Sequence, residues 1–339
     1  MRAGRAGIVE HEVGFGVASS VPQACLSRRR PPGMIVASRP LPLAEPVEHP
    51  SIRARSEWPG GSPAAGRRDW PGDQPLSLSE LHEALDTARI HTRYQPVVRL
   101  SDRVPVGLEV LARLEHPQRG TLGPDLFVPL IEDAGLAYPL TQAVIRRAFD
   151  EWGGDRLERM DLWLALNFPL DVLLAPESLA WMDAQRKAAG IPASRIGVEL
   201  TESRPVTSVA ALGDAVGRLR AAGYTLAIDD VGPGVRQPEE LLGLGFTTLK
   251  LDKGLVLGSR DDVAQAEKLA ALVAAAHGAG LSVIAEGIED ELLWQRMRAA
   301  GVEQAQGFLI GRPMPAAAVP VWHRAWCAGE ASPAAAATN

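Results

Sequence analysis

From about Leu76 onward the chain alternates between two hydrophobic periods. The near-continuous apolar runs VPVGLE, LWLALN, RIGVELTE, TLAIDD, TTLKLD and LSVIAE predict strands buried on both faces. Between them lie segments of helical period. SLSELHEALDTARI is capped by Ser77 or Ser79. DLFVPLIEDAG, PLTQAVIRRAFDEW, EELLGLG, DDVAQAEKLAALVAAAHGAG and EDELLWQRMRAAG are further helices. ESLAWMDAQRKAAG ends at Gly190, and VTSVAALGDAVGRLRAAG ends at Gly223. TRYQPVVRL precedes VPVGLEVLARL across a turn at Ser101–Asp102, and EQAQGFL is the last strand. Strands alternating with two-faced helices predict a parallel sheet with both faces covered. The number of units, over a span from Ser77 to Trp326, predicts an α/β protein with a (β/α)8 TIM-like barrel. An open doubly wound sheet is the alternative. It calls for a glycine-rich phosphate loop after an early strand, and the sequence has none there.

The first 75 residues carry no such period. They are rich in Pro, Gly, Ser and Arg, as in RRRPPG and WPGGSPAAGRRDWPGD, and a disordered segment is expected over 1–75. The barrel domain is expected over 76–327, with a disordered tail over 328–339. Glu10, His11 and Glu12 interrupt the apolar run near the start, which argues against a signal peptide.

A net charge of -6 argues against a nucleic-acid groove or a polybasic membrane patch. No apolar run is long enough to span a bilayer. Cys25 and Cys327 lie at opposite ends and suggest neither a disulfide framework nor a thiolate metal site. The expectation is a cytoplasmic protein with no nucleic-acid or membrane partner.

The predicted strands end on polar residues. Glu109, Asn167, Glu199 and the Asp229–Asp230 pair close apolar runs, and Lys250 and Glu286 follow two more. Burying an unpaired charge is costly, so an array of this kind points to one shared site. In a barrel, C-terminal strand ends converge on one mouth. Hard oxygen donors there suit Mg²⁺ or Mn²⁺; Zn²⁺ would favour His or Cys, absent from these strand ends. Paired metals bridged by a carboxylate hydrolyse phosphodiesters. Lys250 would stabilise anionic charge or order a water, and Glu286 could take its proton. Singly, each residue has a structural explanation as a cap, turn former or salt-bridge partner. Jointly, on successive strands, they favour the functional one.

In order along the chain, YQPVVRL, GLEVLARLEHPQRG, DLFVPLIEDAGL, ALNFP, VELTES, AIDDVGPG, TLKLD, VIAEGIE and QAQGFLIGRPMP resemble the motifs of EAL-domain cyclic-di-GMP phosphodiesterases. The resemblance runs from Tyr94 to Pro315. It implies a barrel with one reversed strand that hydrolyses cyclic di-GMP to linear pGpG with two Mg²⁺ or Mn²⁺ ions. Glu109 matches the signature Glu, and Asn167, Glu199 and Asp229 match the other ligands of the first metal. Asp229 would bridge, and Asp230 would hold the second ion. Lys250 and Glu286 match the residues that order and activate the water, with the base left open between them. Gln95 and Arg113 match substrate contacts, Gln306 lies in the last-strand motif, and Glu202 matches an acidic residue that braces the loop after the aspartates.

The signature here reads Glu109–Val110–Leu111, where the family has Glu-Ala-Leu. ALNFP stands in place of asparagine–leucine–serine. The loop after Asp230 reads VGPGVRQPEEL where the family has Phe-Gly-Thr-Gly-Tyr-Ser-Ser-Leu. That loop supports the second metal and, in the family, contributes to homodimer contacts. The change leaves a weakly active or inactive cyclic-di-GMP receptor, or a protein-interaction module, as the alternative function. No GG-D/E-EF motif of the synthetic partner domain is present.

Overall fold

The computed structural model describes residues 75–201, 206, 208–231 and 241–329, the side chains of 230 and 231 excepted. Residues 1–74 and 330–339 of the segments expected to be disordered, Glu202 and most of the 231–241 loop lie outside the described residues, while Ala328 and Gly329 of the expected tail are described.

Nine strands form one sheet in the order β1-β9-β8-β7-β6-β5-β4-β2-β3, and a β1–β2 pairing closes eight of them into a barrel. Around the closed ring these are β1 (Ile90–Arg99), β2 (Pro105–His116), β4 (Trp163–Pro169), β5 (Ile196–Thr201), β6 (Thr225–Val231), β7 (Thr248–Leu251), β8 (Ser282–Ala285) and β9 (Gln304–Gln306). The short β3 (Gly120–Leu122) extends β2 as an antiparallel hairpin. β1 is antiparallel to both its neighbours, β2 and β9, while all other ring pairings are parallel. The barrel with one reversed strand is therefore present.

Helices cover the outside. They are α1 (Leu78–Asp86), α2 (Pro124–Asp133), α3 (Ala137–Gly154), α4 (Leu170–Leu174), α5 (Pro176–Ala188), α6 (Val209–Ala221), α7 (Lys253–Gly258), α8 (Val263–Gly278), α9 (Glu291–Ala299) and α10 (Val319–Cys327). Ser77 caps α1 in a capping box closed by Glu80. The hydrogen bonds of that box hold the Glu80 carboxyl down at about 2. Gly190 and Gly223 take left-handed conformations just past α5 and α6, as the chain pattern predicts for helix ends. Sequence reading missed β3, α4 and α7, each too short to show a period, and also the nine-residue α10.

Alternation along the strands separates core from site. Leu108 and Val110 flank Glu109, Leu166 and Phe168 flank Asn167, and Val198 and Leu200 flank Glu199. All six apolar residues are at most 2% exposed, in the layer beneath the helices. The polar residues between them face inward. One step lower on the inner face stand small residues: Gly107, Ala165, Gly197, Ala227 and Thr248. A Cβ on Gly107 would lie 2.3 Å from the Trp163 indole, so only glycine admits that ring.

Candidate metal centre

Glu109, Glu199, Asp229 and Lys250 meet inside the barrel at its C-terminal mouth, each less than a tenth exposed. β2, β5, β6 and β7 each supply one of them. The Lys250 Nζ lies 2.7 Å from Glu286, 2.9 Å from Asp229, 3.0 Å from Glu199 and 3.7 Å from Glu109. One ammonium thus faces four carboxylates. Burial opposes its charge, but the four acids together hold the Lys250 pKa well above the ordinary lysine range. The carboxylates carry the complementary strain. Burial pushes Glu199 well above the carboxylate range, with Lys250 pulling down and Glu109 and Asp229 pushing up. Burial likewise raises Glu286 to about 8, against the pull of Lys250.

Ligand atoms of Glu109, Glu199 and Asp229 all lie within 4.8 Å of one another. Three buried acids so close, with a single lysine among them, leave negative charge that a divalent cation would neutralise, so the residues fit a metal. Asn167 faces Glu199 across the β4–β5 register and donates from Nδ2 to Glu109 Oε1 at 3.1 Å. Its carbonyl oxygen is a further hard donor at the same place.

Gln306 Nε2 donates to Glu109 at 2.6 Å and to Gln95 at 3.0 Å, while Gln95 Nε2 donates to the Gly311 carbonyl at 3.2 Å. Gln306 Oε1 is buried without a partner among the described residues, an acceptor at the edge of the acid cluster. Arg113 stands farther out on β2, half-buried, its Nη1 donating to the Ala112 carbonyl at 2.8 Å. Asp230 follows Asp229 in β6, but its side chain is outside the description, as is all of Glu202.

The structure therefore brings together Glu109, Asn167, Glu199, Asp229, Lys250 and Glu286, with Gln95 and Gln306 beside them. Sequence reading missed two features of the mouth. Phe308, 41% exposed just past β9, has Arg312 4.1 Å and Lys253 5.2 Å from its ring centroid. Arg93, two residues from Gln95, was legible only through the period of β1.

Together, the closed barrel with one reversed strand and the acid cluster at its mouth define a barrel protein whose mouth could hold a metal ion. Residues 78–313 match the EAL domain, and the chain belongs to that family. It is 32% identical over 253 residues to the bifunctional diguanylate cyclase/cyclic di-GMP phosphodiesterase MucR of Pseudomonas aeruginosa, covering 72% of this chain and 36% of that protein. It is 31% identical over 238 residues to a cyclic di-GMP phosphodiesterase of the same organism, covering 70% of this chain and 40% of that one. The chain thus spans well under half the length of these curated relatives. The solved PaMucR phosphodiesterase in complex with c-di-GMP is similar at a TM-score of 0.66 and 29% identity, covering 71% of this chain and 98% of that one. Among the described residues no helix is long and apolar enough to cross a membrane.

Proposed function

We propose that this chain is a metal-dependent phosphodiesterase that hydrolyses cyclic di-GMP to linear pGpG. The observation that carries the reading is the convergence of Glu109, Glu199 and Asp229 within 4.8 Å around Lys250, in a chain of the EAL family. Relatives named as cyclic di-GMP phosphodiesterases, and a similar structure in complex with c-di-GMP, support the substrate.

Glu109, Asn167, Glu199 and Asp229 would hold one Mg²⁺ or Mn²⁺, and Asp229 with Asp230 a second. Such ions polarise a phosphoryl oxygen and make water nucleophilic near neutral pH. The Lys250 ammonium stabilises the negative charge that develops on the phosphoryl group. Glu286, the acid closest to Lys250 and 20% exposed in its side chain, would take the proton of the attacking water once bound metal favours its carboxylate form. Gln95, Gln306 and Arg113 position the nucleotide. The exposed face of Phe308 is available to stack a guanine.

Incubation with cyclic di-GMP and Mg²⁺ or Mn²⁺ should yield pGpG, and chelator should stop it. Full turnover in excess EDTA would sink the metal reading. Tight binding without turnover would favour the receptor reading, which the sequence of the 231–241 loop motivates. A homodimer through that loop is part of the same proposal and is checked by sedimentation.

A further inference from the structure

The β1–β2 ribbon carries two arginines on the face that the site uses. Gln95 pairs with Glu109 across the ribbon, and both take a hydrogen bond from Gln306, so their face is the inner one. Strand alternation puts Arg93 and Arg113 on that same face, one and two steps farther out from the acid cluster. Arg93 pairs with Leu111, which makes Arg113 its diagonal neighbour, a spacing of roughly 7–8 Å that long side chains bridge. Both are partly buried.

The two guanidiniums repel each other. The pKa of Arg113 is lowered by burial first and by Arg93 second, with Asp125 of α2 and Glu109 acting the other way. Among the described residues neither has a carboxylate within ion-pair distance. Each donates to the carbonyl of its own preceding residue, Arg93 to Thr92 and Arg113 to Ala112. Two half-desolvated like charges, without a protein anion between them, are arranged at a cost that a bound anion would offset.

We propose that Arg93 joins the nucleotide contact assigned to Arg113 above to form an anion clamp at the rim of the barrel, which holds the phosphodiester that is not being cleaved. The proposal rests on the cyclic-dinucleotide reading above. In a cyclic dinucleotide the two phosphodiesters lie on opposite sides of the ring. With one at the acid cluster, the other projects outward toward the rim. Planar guanidiniums suit a phosphate because each can donate two parallel hydrogen bonds. Arg93 acts in positioning and specificity, remote from the reacting atoms.

The test compares the natural chain with Arg93→Ala and Arg93→Lys. Steady-state hydrolysis of cyclic di-GMP gives KM and kcat, calorimetric titration of the nucleotide onto metal-free protein gives Kd, and thermal melting without nucleotide gives Tm. Arg93→Ala should weaken binding roughly ten- to hundredfold, the cost of losing a hydrogen bond to a charged group, with the loss falling on KM rather than kcat. Tm without nucleotide should stay the same or rise, since a repulsion has been removed. Arg93→Lys, which keeps the charge but not the fork, should fall between. If the natural chain binds cyclic di-GMP and Arg93→Ala binds it equally well, the clamp fails and the proposed function stands. If affinity falls together with Tm, Arg93 is structural and the clamp fails. If the natural chain neither binds nor hydrolyses the nucleotide, the proposed function fails and takes the clamp with it.

Discussion

Lys250 is the residue on which the site turns, because it is the counter-charge to four acids at once. Its place at a strand end was legible in TTLKLD, and so were the ends that carry Glu109, Asn167, Glu199 and Asp229. The pairing of one lysine with all four carboxylates was not, since contacts between residues far apart in sequence have no local signature. Lys250→Ala should lower turnover about 100-fold or more by removing a charge-stabilising group. It should also destabilise the metal-free protein, by about 3–5 kcal/mol, because buried carboxylates lose their partner. Added Mg²⁺ or Mn²⁺ should restore part of that stability without restoring turnover. Thermal melts with and without metal, beside a rate measurement, check this. An unchanged turnover number removes Lys250 from the mechanism.

Among the elements, long strands and helices were legible because burial imposes a period on them. β5 reads IGVELT with its first five residues buried, and α3 runs for 18 residues. The reversed direction of β1 had no such signal in hydrophobic pattern alone and entered through family resemblance. β9 is a different case, since three residues cannot show a period and its placement depends on backbone contact. Ile288 N–H donates to the Gln306 carbonyl, and Leu309 N–H to the Ile288 carbonyl, both at 3.0 Å. A Cβ on Gly307 would lie 2.2 Å from Ile288 backbone atoms, a clash that no rotamer relieves. Gly307→Ala should therefore push β9 from the 287–288 segment and shift Gln306 away from Glu109. Overpacking of this kind costs about 1–3 kcal/mol. The expected result is a lower Tm with weaker nucleotide binding. A variant with unaltered Tm and affinity would mean that β9 is not set by this contact.

At the scale of the whole molecule, the barrel stores unneutralised acid at its mouth, and this ties its stability to pH and to metal. Glu286 has its carboxyl raised from 4.5 to about 8, chiefly by burial, and Glu199 is raised well above 4.5 for the same first reason. Both therefore hold protons more tightly in the folded chain than in the unfolded one. Between about pH 4.5 and 8 the folded state carries the extra protons, so its stability falls as pH rises. Glu80, Asp290 and Glu291 are lowered from their ordinary values and titrate below this window. His323, lowered by burial, works in the opposite direction up to about its ordinary 6.5. Glu286→Gln separates these contributions, since it removes one of the two raised acids and leaves His323 in place. The metal-free protein should melt higher near pH 5 than near pH 8, and Glu286→Gln should flatten that slope. Metal ligation needs the acids deprotonated, so the gain in Tm from saturating Mg²⁺ or Mn²⁺ should be larger at pH 8 than at pH 5. A metal-free Tm that rises steadily from pH 5 to pH 8, with no effect of Glu286→Gln on its slope, would mean that the mouth does not hold its acids protonated.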